Sequence, residues 1–157
     1  MAFTISGLAP EPFAALYGLP DAELARRGAI RMRVDESPGF PDRIEMREAG
    51  VGETVLLVNH VSLDLPTPYR ASHAIFVREG ADRRWQGAPG EVPAVMRRRL
   101  LSLRGFDAQG MLRAADVVEG RSVEDVIGRL FADPAVAYIH AHNARQGCYS
   151  GRIDRHR

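Results

Sequence analysis

The order of apolar and polar positions divides this chain into short strands and helices separated by strong breakers. Ile30-Arg31-Met32-Arg33-Val34 alternates strictly, the period-two signature of a half-buried strand. Thr54 to Val58 is an unbroken β-branched and leucine run, which predicts a strand buried on both faces. Ala71 to Arg78 sets Ala74 and Phe76 against His73, Ile75 and Val77 and predicts a central strand. A short strand is expected at Arg43 to Met46, and two longer ones at Val95 to Arg104 and Met111 to Val118, joined through Gly105 to Gly110. Ala137 to Arg152 reads as a β-hairpin around a Gly-containing loop.

Helical spacing shows at both ends. Phe13, Leu16 and Tyr17 recur on one helical face, and Pro20-Asp21-Ala22-Glu23 resembles a fresh helix start that stops at Gly28. Ser122 opens a further helix, with Glu124 and Asp125 favourable against the dipole and Val126, Ile127, Leu130 and Phe131 as its buried stripe. Asp133-Pro134 ends it, because proline has no N–H to continue the ladder. Ser37-Pro38-Gly39-Phe40-Pro41 is a rigid turn. Gly80 to Pro93, which holds the only tryptophan, Trp85, has no periodicity and reads as a lid or mobile decoration. Six to eight strands with these helices predict one α+β domain over residues 1–157. Its sheet is mainly antiparallel, with N-terminal helices and one helix before the C-terminal hairpin.

Composition narrows the setting. At 157 residues, 45% apolar and 26% charged, the chain can bury a core without staples. No apolar run is long enough for a membrane span, and Met1-Ala2-Phe3-Thr4 lacks the basic start and apolar core of a signal peptide. One cysteine cannot form an internal disulfide, so a reducing cytoplasm is expected. All 21 basic residues are arginine. That excludes Walker A loops and lysine-based Schiff-base or general-base chemistry, and it suggests a GC-rich bacterial genome. A net charge of +1 argues against a dedicated nucleic-acid binder. Arg97-Arg98-Arg99 and the tail from Arg152 to Arg157 are read as a solvated strand face and a frayed terminus.

The hairpin concentrates the groups able to do chemistry. It holds two of the five histidines and the single cysteine. With the loop at Asn143 to Gly147, His142 is expected opposite Cys148, His140 opposite Ser150 and Tyr138 opposite Arg152, all on one face. Ile139, Ala141, Tyr149 and Ile153 would then share the other. A thiol beside an imidazole is the minimal kit for nucleophilic catalysis, so Cys148 and His142 are the candidate catalytic pair, with Asn143 or Asp154 as orienting group. Against this stands the tendency of free cysteine to serve as a buried filler.

Guanidinium groups pair bidentately with carboxylate or phosphate, which makes Arg152, Arg145 and Arg70 candidates for anion recognition. Tyr138, His140, Asn143 and Ser150 would complete a convergent polar patch. His140 and His142 are also spaced to offer two metal ligands, with a third from His60, His73 or Cys148. No Cys-x-x-Cys or His-Glu-x-x-His spacing accompanies them, so neither metal nor cofactor is expected. The leading expectation is a polar pocket at the hairpin that binds a small anionic molecule. A thiol-dependent enzyme and a protein-interaction module, contacting partners through Trp85 and the loop from Gly80 to Pro93, are the alternatives.

Four words in order carry a resemblance: Pro38-Gly39-Phe40-Pro41-Asp42-Arg43, Gly52-Glu53-Thr54-Val55-Leu56-Leu57, the stretch from Thr67 to Arg78, and His140-Ala141-His142-Asn143-Ala144-Arg145-Gln146-Gly147-Cys148. Together they resemble a bacterial family of domains of unknown function, numbered 1203. The resemblance runs over nearly the whole chain and implies a compact single-domain bacterial protein. It supplies no activity. In that family a cysteine often follows the second proline of the first word, and here Asp42 stands there, so the resemblance implies no cysteine pair for this chain.

Overall fold

Two antiparallel sheets pack against each other in the computed structural model, which describes residues 2–157. The smaller is β2 (Ile30–Arg33), β3 (Thr54–Leu63) and β4 (Ala71–Arg78), in that order. The larger has the order β1-β8-β7-β5-β6, from β1 (Phe3–Ser6), β5 (Leu100–Phe106), β6 (Leu112–Glu119), β7 (Tyr138–Asn143) and β8 (Tyr149–Arg155). Among the described residues there are also four short α-helices, α1 (Glu11–Ala14), α2 (Asp21–Arg26), α3 (Ala94–Arg97) and α4 (Val123–Phe131), the last preceded by a 3-10 turn at Gly120–Ser122. The class is α+β, as the pattern of strands and helices predicts.

Period-two alternation assigns the two faces of the large sheet. Leu101, Leu103, Ile139, Ala141 and Ile153 form one face and meet the apolar stripe of α4, Val126, Ile127, Leu130 and Phe131. Burying such side chains supplies roughly 1.5 to 3 kcal/mol each, so this face is the main stabilising layer. The other face carries Tyr138, His140 and His142 and turns toward the small sheet. There Leu56, Val58, Ile75 and Val77 pack with Phe13, Leu24 and Tyr149. No helix among the described residues is long and apolar enough to cross a membrane.

Three local expectations need correction. Ala71 to Arg78 is an edge strand, because β3 takes the centre of its sheet. Its free edge is met by a loop: the Arg43 N–H donates to Phe76 O at 3.1 Å, and the Arg78 N–H donates to Asp42 Oδ1 at 2.8 Å. Arg43 to Met46 is accordingly a turn, closed by the Glu45 N–H donating to Asp42 Oδ2 at 2.6 Å. Ala94 to Arg97 is one helical turn after Pro93, its Met96 and Arg97 N–H groups donating to Pro93 O at 3.0 and 3.2 Å, and Val95 and Met96 are buried on it.

The arginine-rich stretches are also more ordered than expected. Arg97 pairs with Glu124 and Arg99 with Glu48. The C-terminal tail continues β8 and pairs with β1, Ile5 opposite Ile153 and Phe3 opposite Arg155. The loop from Gly80 to Pro93 lies along the outer edge of β1, where Gly87 and Gly90 N–H groups donate to Ile5 and Phe3 carbonyls at 3.1 and 2.8 Å. Trp85 packs against the core there, so the loop covers an otherwise open strand edge.

Candidate functional site

One extra residue in β8 determines what the hairpin presents. At its base Tyr138 faces Asp154, Ile139 faces Ile153, His140 faces Arg152 and Ala141 faces Gly151. The register then shifts, and His142 faces Tyr149. Ser150 is the inserted residue of a β-bulge. Gly151 beside it sits where a Cβ would lie 2.7 Å from Met96 Cε, so the chain approaches the core closely at that point. The expected pairings of His142 with Cys148, His140 with Ser150 and Tyr138 with Arg152 are therefore replaced, and Tyr149 moves from the apolar face to the histidine face.

Around Tyr149 the two sheets gather four of the five histidines. His60 and His73 face each other across β3 and β4. The Tyr149 ring lies 5.5 Å from His60, 5.3 Å from His140 and 6.0 Å from His142, and His73 meets His142 edge-on at 4.8 Å. Burial pushes His140 down to about 3 and His142 down to about 4, and it lowers His60 and His73 as well. These rings are neutral at pH 7. Among the described residues no three histidine, cysteine or acidic side chains are placed to hold a metal ion.

His73 also lines a cavity of about 360 Å³ beneath the hairpin loop. The segment from Gly39 to Arg43 forms one side and His73 to Phe76 of β4 another, and Asn143, Gln146 and Cys148 close it. Cys148 is partly exposed, and its sulfur accepts from Arg43 Nη2 and from Asn143 Nδ2, each at 3.5 Å. Arg43 is 1% exposed, donates through Nε to Tyr149 O at 2.7 Å, and has no carboxylate within ion-pair distance among the described residues. Burial lowers its guanidinium below the ordinary value, and the neighbouring Cys148 sulfur acts in the opposite sense. Arg99, paired with Glu48, is a second cation on the wall. Asn143 Oδ1 is buried without a hydrogen-bond partner.

The expected site residues separate into distinct places. Cys148 and Asn143 share the cavity. His142 stands behind it, its Nδ1 engaged with Gly147 O at 3.0 Å rather than with the thiol. Arg152, Tyr138 and His140 line a second depression, with Ser62, Asp64 and Leu65. The Arg152 guanidinium stacks over the Tyr138 ring at 4.1 Å, and Arg152 Nε donates to Asp154 Oδ1 at 2.9 Å, which engages part of its fork. Ser150 is buried in the bulge with its hydroxyl unpaired and lines neither cavity. Arg145 is exposed on the rim near Arg98 and Glu119, and Arg70 is exposed and paired with Asp64.

Arg43, Arg99 and Gln146 were not among the expected site residues. Gln146 lies inside the hairpin loop and could have been included on position alone. Arg43 follows a Pro-Gly-Phe-Pro turn, and nothing in a local pattern shows that its side chain enters the interior.

The molecule is thus a two-sheet α+β domain with a neutral histidine cluster between its layers and a thiol- and guanidinium-lined cavity at one hairpin. The chain belongs to the family described as proteins of unknown function, DUF1203, whose model matches residues 39–155. That span begins at Gly39, the first residue on the cavity wall, and includes every other residue that lines it. No curated protein and no solved structure matches the chain.

Proposed function

We propose that this protein binds a small anionic ligand in the cavity beneath the C-terminal hairpin. Arg43 carries the proposal: its guanidinium is 1% exposed, lines the cavity, and lacks any carboxylate partner among the described residues. Buried charges are ordinarily paired, because removing an isolated one from water costs several kcal/mol. An anion seated beside Arg43, with Arg99 near and the amides of Asn143 and Gln146 as hydrogen-bonding groups, meets that need. A cavity of about 360 Å³ suits a small carboxylate or phosphate ester. A bacterial, cytoplasmic setting accompanies this reading, supported by the absence of lysine and the single free thiol.

Citrate, malonate, sulfate and inorganic phosphate, titrated against Cys148→Ser protein, test it by thermal melting. A ligand at 100 times its Kd stabilises by about 2.7 kcal/mol, which is about 5 to 11 °C in a chain of this length. Asn143→Ala and Arg43→Lys should reduce the shift. No shift with any of the four anions, or equal shifts in both variants, overturns the proposal.

One observation favours thiol-dependent chemistry as a second reading. Both partners of the Cys148 sulfur are N–H donors, one of them cationic, so the sulfur is held as an acceptor. Arg43 and Asn143 support this reading in the place first expected for His142.

A further inference from the structure

Three features converge on Cys148. The residue is partly exposed and lines the cavity. Its donors include Arg43, which is 1% exposed and has no carboxylate partner among the described residues. Asn143 is 4% exposed, lines the same cavity, and keeps one unpartnered amide oxygen beside the sulfur. Acyl transfer would ask for an imidazole bonded to the nucleophile, and His142 Nδ1 is committed to Gly147 O. Exchange with a disulfide asks only for a reachable sulfur beside a cation.

We propose that Cys148 is a site of reversible thiol–disulfide exchange whose partner is a small disulfide bearing carboxylates. This rests on the anion-binding reading of the same cavity. The Cys148 sulfur, having given its proton to water, attacks one sulfur of the disulfide. The new S–S bond forms as the old one breaks, and the expelled thiolate takes up a proton. Cys148 is oxidised and the departing half is reduced, so no further oxidant is needed. With no second cysteine in the chain, the mixed disulfide cannot resolve internally and stays until an external thiol removes it. The guanidinium groups of Arg43 and Arg99 hold the carboxylate of the attached half.

Glutathione disulfide, net negative, and cystamine, net positive, are the probes. Each is incubated with reduced protein and adducts are followed by intact mass, with every rate divided by that of urea-unfolded protein. The folded protein should gain one adduct, absent in Cys148→Ser, and prefer glutathione disulfide at least tenfold. Gln146→Glu, on the exposed rim, should reduce that preference several-fold without touching the buried groups. Equal normalised rates, a preference for cystamine, or a preference unchanged by Gln146→Glu overturns the proposal. If Cys148→Ser still shows anion-dependent melting shifts, only the exchange is lost. If those shifts are absent, the anion reading fails and the exchange proposal fails with it.

Discussion

The guanidinium of Arg43 reaches the sulfur of Cys148 at 3.5 Å across 105 residues of chain. The contact joins a turn beside the small sheet to the last hairpin of the large one, so it ties the two layers together at the mouth of the cavity. Arg43→Ala would leave the Tyr149 carbonyl without its donor and open a void in a fully buried position. A cost of about 3 kcal/mol is expected, read as a lower urea midpoint with unchanged slope. Stability equal to wild type would mean that the Arg43 contact does not hold the layers.

Gly7 supports that turn from behind. A Cβ at Gly7 would lie 2.1 Å from Ile44 O and 3.1 Å from Arg43 O, and these are backbone atoms that cannot swing aside. Gly7→Ala should therefore displace the Arg43 segment and change the alkylation rate of Cys148 by iodoacetamide several-fold. Gly151→Ala meets the flexible ends of Met96 and Met46 at 2.7 and 3.1 Å and the Ser6 carbonyl at an ordinary 3.7 Å, and should cost about 1 kcal/mol with the thiol rate preserved. The same alkylation rate in wild type and Gly7→Ala would remove the link between β1 and the cavity.

Acid should loosen the space between the sheets. His140 and His142 are held down to about 3 and about 4 in the folded state, chiefly by burial. Unfolded histidine takes up its proton near pH 6.5. Stability is therefore fully present above about pH 6.5 and is lost as pH falls toward 4, because the unfolded chain binds protons that the folded one refuses. Each histidine contributes about 1.4 kcal/mol per pH unit in that window, before most carboxylates titrate. Urea unfolding at pH 7, 6 and 5 should show the decline, and His140→Gln should flatten it by about one proton. A flat profile from pH 7 to 5 would contradict the burial of these rings as neutral groups.

Arg152 distinguishes the two depressions. Its guanidinium lies over Tyr138 and bonds Asp154, and it does not line the cavity that contains Cys148. Arg152→Lys should leave an anion-dependent melting shift within about 1 °C of wild type while Arg43→Lys reduces it. The reverse result would transfer the anion site to the depression formed by Tyr138, His140 and Arg152.

Local periodicity determined much of the element order. The alternation at Ile30 to Val34, the β-branched run from Thr54, the strand from Ala71 to Arg78 and the stripe of α4 all depend on residues a few positions apart, and each element stands where its pattern sets it. The hairpin was legible too, with Cys148 and Asn143 named on it. Its pairing was not, because the bulge at Ser150 lies where Gly151 closely approaches Met96, a contact no neighbour in sequence records. The position of β4 at a sheet edge, the gathering of His60, His73, His140 and His142 around Tyr149, and the entry of Arg43 beside Cys148 were decided by the way two sheets stack. Such contacts join residues tens to a hundred positions apart, and they exist only once burial of the apolar faces has brought the layers together.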